Sequence, residues 1–288
     1  MVNKKNLIKK ILAQTYVWLI LFLMYLPILT LIAFSFTKAT NLGTWTGFSF
    51  DLYADLFKSQ EIMTALGNTL IIAFVSSAIS VVLGTLGAIG VFYSKKRAKK
   101  SLEFVTQIPV VNPEIVIALS LTVMFVFMGS YIFRNSIFSF WTLLAGHIVL
   151  SLPFVYLSVK PKLEQMDPSL YEAALDLGCP PNRALRTVII PEILPGVASG
   201  FLLSITLSLD DFIVTAFTRG SGLLSGSNQI ETLSTLVQAK IKKGPIPPEM
   251  RALTTIIFLI VLIIVVSVTI SNGRKGKKAK LRKGRQDR

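Results

Sequence analysis

Apolar residues in this 288-residue chain fall in long blocks, without the three-and-four spacing of a helix on a soluble surface. Crossing hydrocarbon takes roughly 20 mostly apolar residues. Six blocks qualify: about Tyr16 to Phe36, Ala65 to Tyr93, Phe104 to Met128, Ser139 to Val159, Pro195 to Phe217 and Ala252 to Ser271. The pattern predicts an all-α, polytopic membrane protein of about six transmembrane helices, with short connections and no sizeable soluble domain. Lys4, Lys5, Lys9 and Lys10 precede the first block, as in a secretory signal. The run is longer than a signal core and no small-residue cleavage site follows, so it reads as an uncleaved span.

Two connections carry a helical period of their own. After the fourth block, Asp167 is a good N-cap, Pro168 suits the first helical position, and Gly178 suits the left-handed residue past the helix end. Between them Leu170, Ala173, Ala174 and Leu177 share a face, and Glu172 and Asp176 share another. A second short amphipathic helix is expected from about Asn182 to Ile190, ended by Pro191. After the fifth block, Gly220 to Asn228 is rich in Gly and Ser; Ile230, Leu233, Val237 and Ile241 then recur at helical spacing until Pro245, Pro247 and Pro248. This predicts a short amphipathic helix on the outer surface, either a packed cap over the bundle or a docking face for a partner.

Charge sets the topology. The chain is 52% hydrophobic, 16% charged and carries a formal net charge of +15. Its basic residues flank apolar blocks, so they orient spans and do not mark a nucleic-acid surface. Lys and Arg number four at the N-terminus, five after the second block, four after the fourth and nine in the tail, against eight in the other three connections. Both termini are therefore expected to be cytoplasmic, although Arg219, Lys240, Lys242, Lys243 and Arg251 in the outer loop argue the other way. The expected organisation is a cytoplasmic N-terminus at 1–15, a transmembrane domain at 16–271, and a basic cytoplasmic tail at 272–288 held near anionic lipid. Within the domain the loop after the fourth block covers about 160–194 and the outer loop about 218–251. The single cysteine, Cys179, excludes an intrachain disulfide framework and reads as a packing residue.

The cytoplasmic loop carries the most specific signal. Glu172-Ala173-Ala174, Gly178, and Pro191 reached through Val188 and Ile190 resemble the EAA loop of permeases of ATP-binding-cassette (ABC) importers. Such permeases usually have Ile and Leu where this chain has Val188 and Ile190, which keeps size and apolarity. Further stretches are similar to the PotC-type second permease subunit of spermidine/putrescine importers: Tyr25-Leu-Pro-Ile, Asn112-Pro-Glu-Ile-Val-Ile-Ala-Leu-Ser, His147 to Phe154, Ser208-Leu-Asp-Asp-Phe-Ile-Val-Thr, and Ile241-Lys-Lys-Gly-Pro-Ile-Pro-Pro-Glu. The resemblance implies a type I ABC importer permease fold in a bacterial plasma (inner) membrane. It implies that Glu172, Ala173, Ala174, Gly178 and Pro191 couple the chain to an ATPase. The partners implied are a homologous permease subunit, an ABC ATPase dimer holding ATP and Mg, and an extracytoplasmic polyamine-binding protein. Importers of ferric ion, thiamine or sulfate share parts of these motifs.

Three acidic residues fall within the apolar blocks. Glu114 lies about ten residues into the third block, near mid-depth, and Asp210 and Asp211 about fifteen into the fifth. Gly196, Gly200, Ser204 and Ser208 recur every four residues, a small-residue face for close helix packing that Asp211 continues. Asp210 points about 100° away. A carboxylate-lined route for a polycation is one reading; capping of broken helix ends or bonding across a subunit interface is the other. His147 reads as an interhelical hydrogen-bond partner more readily than as a proton relay. The chain has no G-x-x-x-x-G-K-[ST] phosphate loop, no H-E-x-x-H, no cysteine pair and no G-x-S-x-G, so it is expected to be a transport subunit with no cofactor or enzymatic activity of its own. An ion-coupled carrier with Asp210 and Asp211 as ion sites is the alternative in another class; such carriers often show internal repeats, and no convincing one is seen.

Overall fold

The structure, a computed structural model, describes residues 4–39, 44–133, 137–167, 169–220, 229–244, 247–263 and 266. The chain divides into two compact units, residues 1–60 with 243–288, and residues 61–242.

In the first unit, α1 (Lys4–Ser35) is apolar on all sides, and none of its most apolar window is buried. A helix of that kind needs lipid or another membrane subunit around it. Beyond it, Thr37 and Phe48 form an isolated antiparallel bridge. Phe36 stacks on Phe48 at 5.4 Å, and Phe48 meets Phe50 edge-on at 5.1 Å. Helix α2 (Asp51–Lys58) follows, its first residue's amide donating to Ser49 Oγ. Arg251 belongs to the final described helix, residues 249–263. It is buried and donates from Nη1 to the Ala39 carbonyl at 3.1 Å. One of the basic residues that argued against the orientation is thus tied into the fold.

The second unit holds α3 (Gln60–Phe92), α4 (Lys96–Val111), α5 (Glu114–Phe127), α6 (Phe140–Gln165), α7 (Ser169–Asp176), α8 (Pro181–Ala184), α9 (Ile190–Asp210), α10 (Ile213–Thr218) and α11 (Leu233–Lys243). Its centre is the packing of α6 on α9. Ala88, Val155, Val159, Leu163, Ile189 and Ile193 form the largest apolar cluster. Small residues bring the backbones together, as their four-residue spacing predicts: Gly196, Gly200, Ser204 and Ser208 are all buried along α9. A Cβ at Gly196 would lie 2.9 Å from the Ser158 carbonyl oxygen, and one at Gly84 would lie 2.8 Å from Val155 Cγ1. Where α4 crosses α6, Lys160 pairs with Glu103 at 3.0 Å.

Among the described residues five helical stretches are long and apolar enough to cross a membrane: Lys10–Ser35, Gln60–Phe92, Glu114–Ile132, Phe140–Gln165 and Pro181–Asp210. The sixth block is helical over 249–263 and at 266, and the rest of it, with the basic tail, lies outside the described residues.

Three expectations need correction. The third block is not one helix. Pro113 disfavours helical geometry at the residue before it. Asn112 accordingly takes φ −73° and ψ 139°, and α4 ends there. Glu114 therefore opens α5 and does not sit ten residues inside a span. The fifth block is also interrupted, with Asp211 extended (φ −61°, ψ 124°) between α9 and α10. Pro191, by contrast, ends nothing. A π-helical turn, Leu185–Ile189, leads from α8 into α9, and Pro191 sits in the first turn of α9. A proline has no N–H to donate, and its ring crowds the carbonyl four residues back. A wider turn just ahead of it is one of the places where helices absorb that.

Candidate functional site

The loop after α6 is built as its capping residues predict. The Asp167 carboxylate accepts from the Ser169 amide at 3.0 Å and from its hydroxyl at 2.8 Å, opening α7. These two bonds hold the Asp167 carboxyl below the usual carboxylate range. At the other end Gly178 has φ +81°, the left-handed conformation. Its amide donates to the Leu175 carbonyl and the Cys179 amide to the Ala174 carbonyl, the bond pair of a Schellman stop. Pro168 lies outside the described residues. Glu172, Ala173, Gly178 and Pro191 are exposed and Ala174 half-buried. Leu177 is 89% exposed and Leu170 44%. The face predicted from Leu170, Ala173, Ala174 and Leu177 is therefore open apart from the half-buried Ala174, while Tyr171 on another side packs against Tyr93 at 5.4 Å.

The second site is the break between α9 and α10. A chain that leaves helical geometry inside a membrane strands amides and carbonyls that nothing in lipid can satisfy. Asp211 solves half of this. It is 5% exposed, and its Oδ1 accepts from the Val214 amide at 3.1 Å. Its Oδ2 accepts from the Thr215 amide at 2.8 Å and the Thr215 hydroxyl at 3.0 Å. Ser234 solves another part, donating its hydroxyl to the Asp211 carbonyl at 2.6 Å. That serine is on α11, which is fixed to α3 by the Leu233 amide on Thr69 Oγ1 and by an ion pair of Lys240 with Glu61 at 2.6 Å. Asn68 adds a bond to the Glu231 carbonyl, and Ile230 packs on Ile72 and Leu143. So α11 is a cap over this end of the unit, though it begins at Leu233, its buried apolar side chain is Leu236, and Ile241 is exposed.

The three acidic candidates come together but play different parts. Asp210 ends α9 with its side chain exposed, and Glu114 is exposed at the start of α5. Helix α5 packs on α10, which brings Glu114 within electrostatic range of both aspartates. Among the described residues no side chain donates to Asp210, whereas the Asp211 carboxylate is fully engaged as a helix cap. His147 is buried on α6, with Nδ1 2.7 Å from Ser208 Oγ and Nε2 2.9 Å from Thr215 Oγ1.

Thr215 and Ser234 were not picked out in the sequence. Thr215, four residues after Asp211, lies one beyond the usual reach of a cap, so the capping pattern does not mark it. Ser234 is 23 residues from the group it satisfies, so no local pattern marks it.

Residues 80–274 match the model of the family described as the binding-protein-dependent transport system inner membrane component. The chain belongs to this family. It is 32% identical over 249 residues to the spermidine/putrescine transport system permease protein PotC of Haemophilus influenzae, covering 86% of this chain and 91% of that protein. It is 31% identical over 235 residues to the putrescine transport system permease protein PotI of Escherichia coli, covering 81% of each. Among solved structures, a bacterial ABC transporter involved in the import of the acidic polysaccharide alginate superposes with a TM-score of 0.69 at 18% identity, over 94% of this chain and 96% of that one. The MetNI methionine ABC transporter superposes at 0.54 with 19% identity, over 73% and 95%. This permease thus shares its fold with chains of bacterial ABC transporters, and its family makes it the inner membrane component of a binding-protein-dependent transport system.

Proposed function

We propose that this permease imports polyamines, and that Asp210 and Glu114 offer the cation its carboxylates. The same fold serves an importer of an acidic polysaccharide and one of methionine, so the fold does not choose the solute and the side chains must. The observation that carries the proposal is a pair of exposed carboxylates, each beside a helix break, Glu114 after Pro113 and Asp210 before Asp211. Each ammonium of a polyamine loses hydration on entering a membrane protein, and a carboxylate in a low-dielectric path offsets that loss. Relatives named for spermidine and putrescine support the same class.

The energy source in this reading is a separate ATPase dimer. Helix α7, capped at both ends and apolar on its open face, docks in it with Glu172, Ala173, Ala174 and Gly178, while Pro191 starts the span that carries the movement inward. A homologous permease subunit completes the pathway and an extracytoplasmic binding protein delivers the solute, with both termini of this chain cytoplasmic. Alternating access follows when ATP and the loaded binding protein each favour one of two states by their differential affinity. Uptake of labelled spermidine by vesicles carrying the whole complex tests the proposal. Asp210→Asn and Glu114→Gln should each raise the half-saturating concentration, and unchanged uptake in both would remove the carboxylates from the path.

A further inference from the structure

Five buried polar side chains from four helices form one continuous hydrogen-bonded line: Ser76 on α3, Ser208 on α9, His147 on α6, Thr215 on α10, and Asp211 between α9 and α10. Counting protons fixes its direction. Thr215 has one hydroxyl proton, and that proton goes to Asp211 Oδ2 at 3.0 Å. Toward His147 the same oxygen can then only accept, so the ring proton sits on Nε2, 2.9 Å away. In the uncharged ring Nδ1 is the acceptor, and the Ser208 hydroxyl donates to it at 2.7 Å. The Ser76 hydroxyl lies 3.3 Å from both Ser208 Oγ and the Ala73 carbonyl, and its one proton is shared between them. Every hydroxyl and both ring nitrogens are satisfied with no charge on the imidazole, and the line ends on a carboxylate.

His147 is the only member that holds both sides of the break from outside it. Ser208 lies three residues before Asp211 and Thr215 four after, and α6, which carries the histidine, is the helix against which α9 packs. Asp210, the exposed carboxylate next to the break, takes its place from the backbone that this pin fixes, because no side chain among the described residues donates to it.

We propose that His147, as the tautomer protonated on Nε2, is a positioning residue for transport: it clamps α9 to α10 across the break and so sets where Asp210 meets the solute. This rests on the pathway reading of Asp210 given above. Two substitutions separate the two ring nitrogens. In His147→Gln the side-chain amide reaches the place of Nε2 and can donate to Thr215, giving up the bond to Ser208. In His147→Asn the amide reaches only the place of Nδ1, keeping Ser208 and leaving Thr215 unmet.

The experiment uses the assembled complex in vesicles, with binding protein and ATP, and reads spermidine uptake over a concentration series. Amide hydrogen exchange at Val214 and Thr215 is measured alongside. Each variant frees one side of the break, so each should raise KM about tenfold, the size of one lost buried hydrogen bond. Maximal rate and complex yield should change by less than about twofold in both. Exchange at the two amides should quicken in Asn and not in Gln. A KM equal to wild type in either variant overturns the proposal, as does exchange at the two amides that is no faster in Asn than in Gln. Failure of both variants to assemble also overturns it, because His147 would then hold the fold and not the solute site. If the wild-type complex takes up no polyamine, the pathway reading falls on its own, and the exchange order of the two variants still decides whether the clamp exists.

Discussion

At the residue scale, two neighbouring aspartates with the same chemistry have opposite environments, and their asparagine variants should differ accordingly. Asp211 accepts three hydrogen bonds with its two oxygens. An asparagine there has one oxygen and one amino group, so a donor must face a donor at Val214 or Thr215. Asp211→Asn should lower the stability of the purified complex by about 1–3 kcal/mol, the cost of a buried group left unmet, as read from its thermal unfolding. Asp210 is exposed and, among the described residues, has no donor side chain, so Asp210→Asn should change stability by no more than about 0.5 kcal/mol while weakening uptake. Equal stability loss in the two would mean that Asp211 is not the cap described. The sequence made all three acids visible as charges out of place in apolar blocks. It did not rank them, because whether an aspartate faces a pathway or caps a helix depends on where the chain breaks. Pro113 marks the break before Glu114, a local sign that the continuous apolar block overrode in the reading, but nothing local to Asp211 announces that α9 stops there; its capped amides are on the following turn and its carbonyl partner, Ser234, is 23 residues away.

At the element scale, α7 and α9 were legible to different degrees. The capping grammar of α7 is local, so Asp167 and Gly178 were readable as its ends. The left-handed Gly178 has open space around it, with nothing within 4 Å of an added Cβ. Only the backbone conformation, then, demands glycine, and that demand is about 1–2 kcal/mol for an ordinary residue. Gly178→Ala should therefore loosen the end of α7 and reduce stimulation of ATP hydrolysis by loaded binding protein. Gly178→Asn, which tolerates the same conformation, should do less harm. Equal stimulation in both variants and wild type would show that this helix end does not carry coupling. Pro191 was misread as a stop because a proline within a helix usually breaks it; the π turn before it lets α9 continue. Further along α9, the added methyl of Gly196→Ala would press on the Ser158 carbonyl oxygen and the Lys162 side chain, 2.9 and 2.8 Å away. It should cost about 1–3 kcal/mol by pushing α9 off α6, measurable as a lower unfolding temperature of the complex.

For the whole molecule, the blocks of apolar residues already required a membrane, and the described structure has a span-length apolar helix at five of the expected blocks, the third starting and the fifth ending at a break. What the blocks could not show is which apolar faces meet one another. None of the most apolar window of helix α1 is buried, a surface that lipid or a partner subunit has to cover. The open face of α7 is a second such surface. Together they predict that the chain is inert alone: reconstituted without its partners it should neither hydrolyse ATP nor accumulate solute, and activity from the single chain would contradict the importer account. The most direct test of the central claim is solute uptake by the purified complex in sealed vesicles, with ATP in the ATPase-facing compartment and binding protein on the opposite side. The account predicts ATP-dependent accumulation of labelled spermidine or putrescine, competed by unlabelled polyamine and not by an uncharged analogue of the same length, and reduced when Asp210→Asn and Glu114→Gln are combined. ATP-dependent accumulation of a neutral or anionic solute in place of polyamine, or polyamine uptake indifferent to losing both carboxylates, would contradict it.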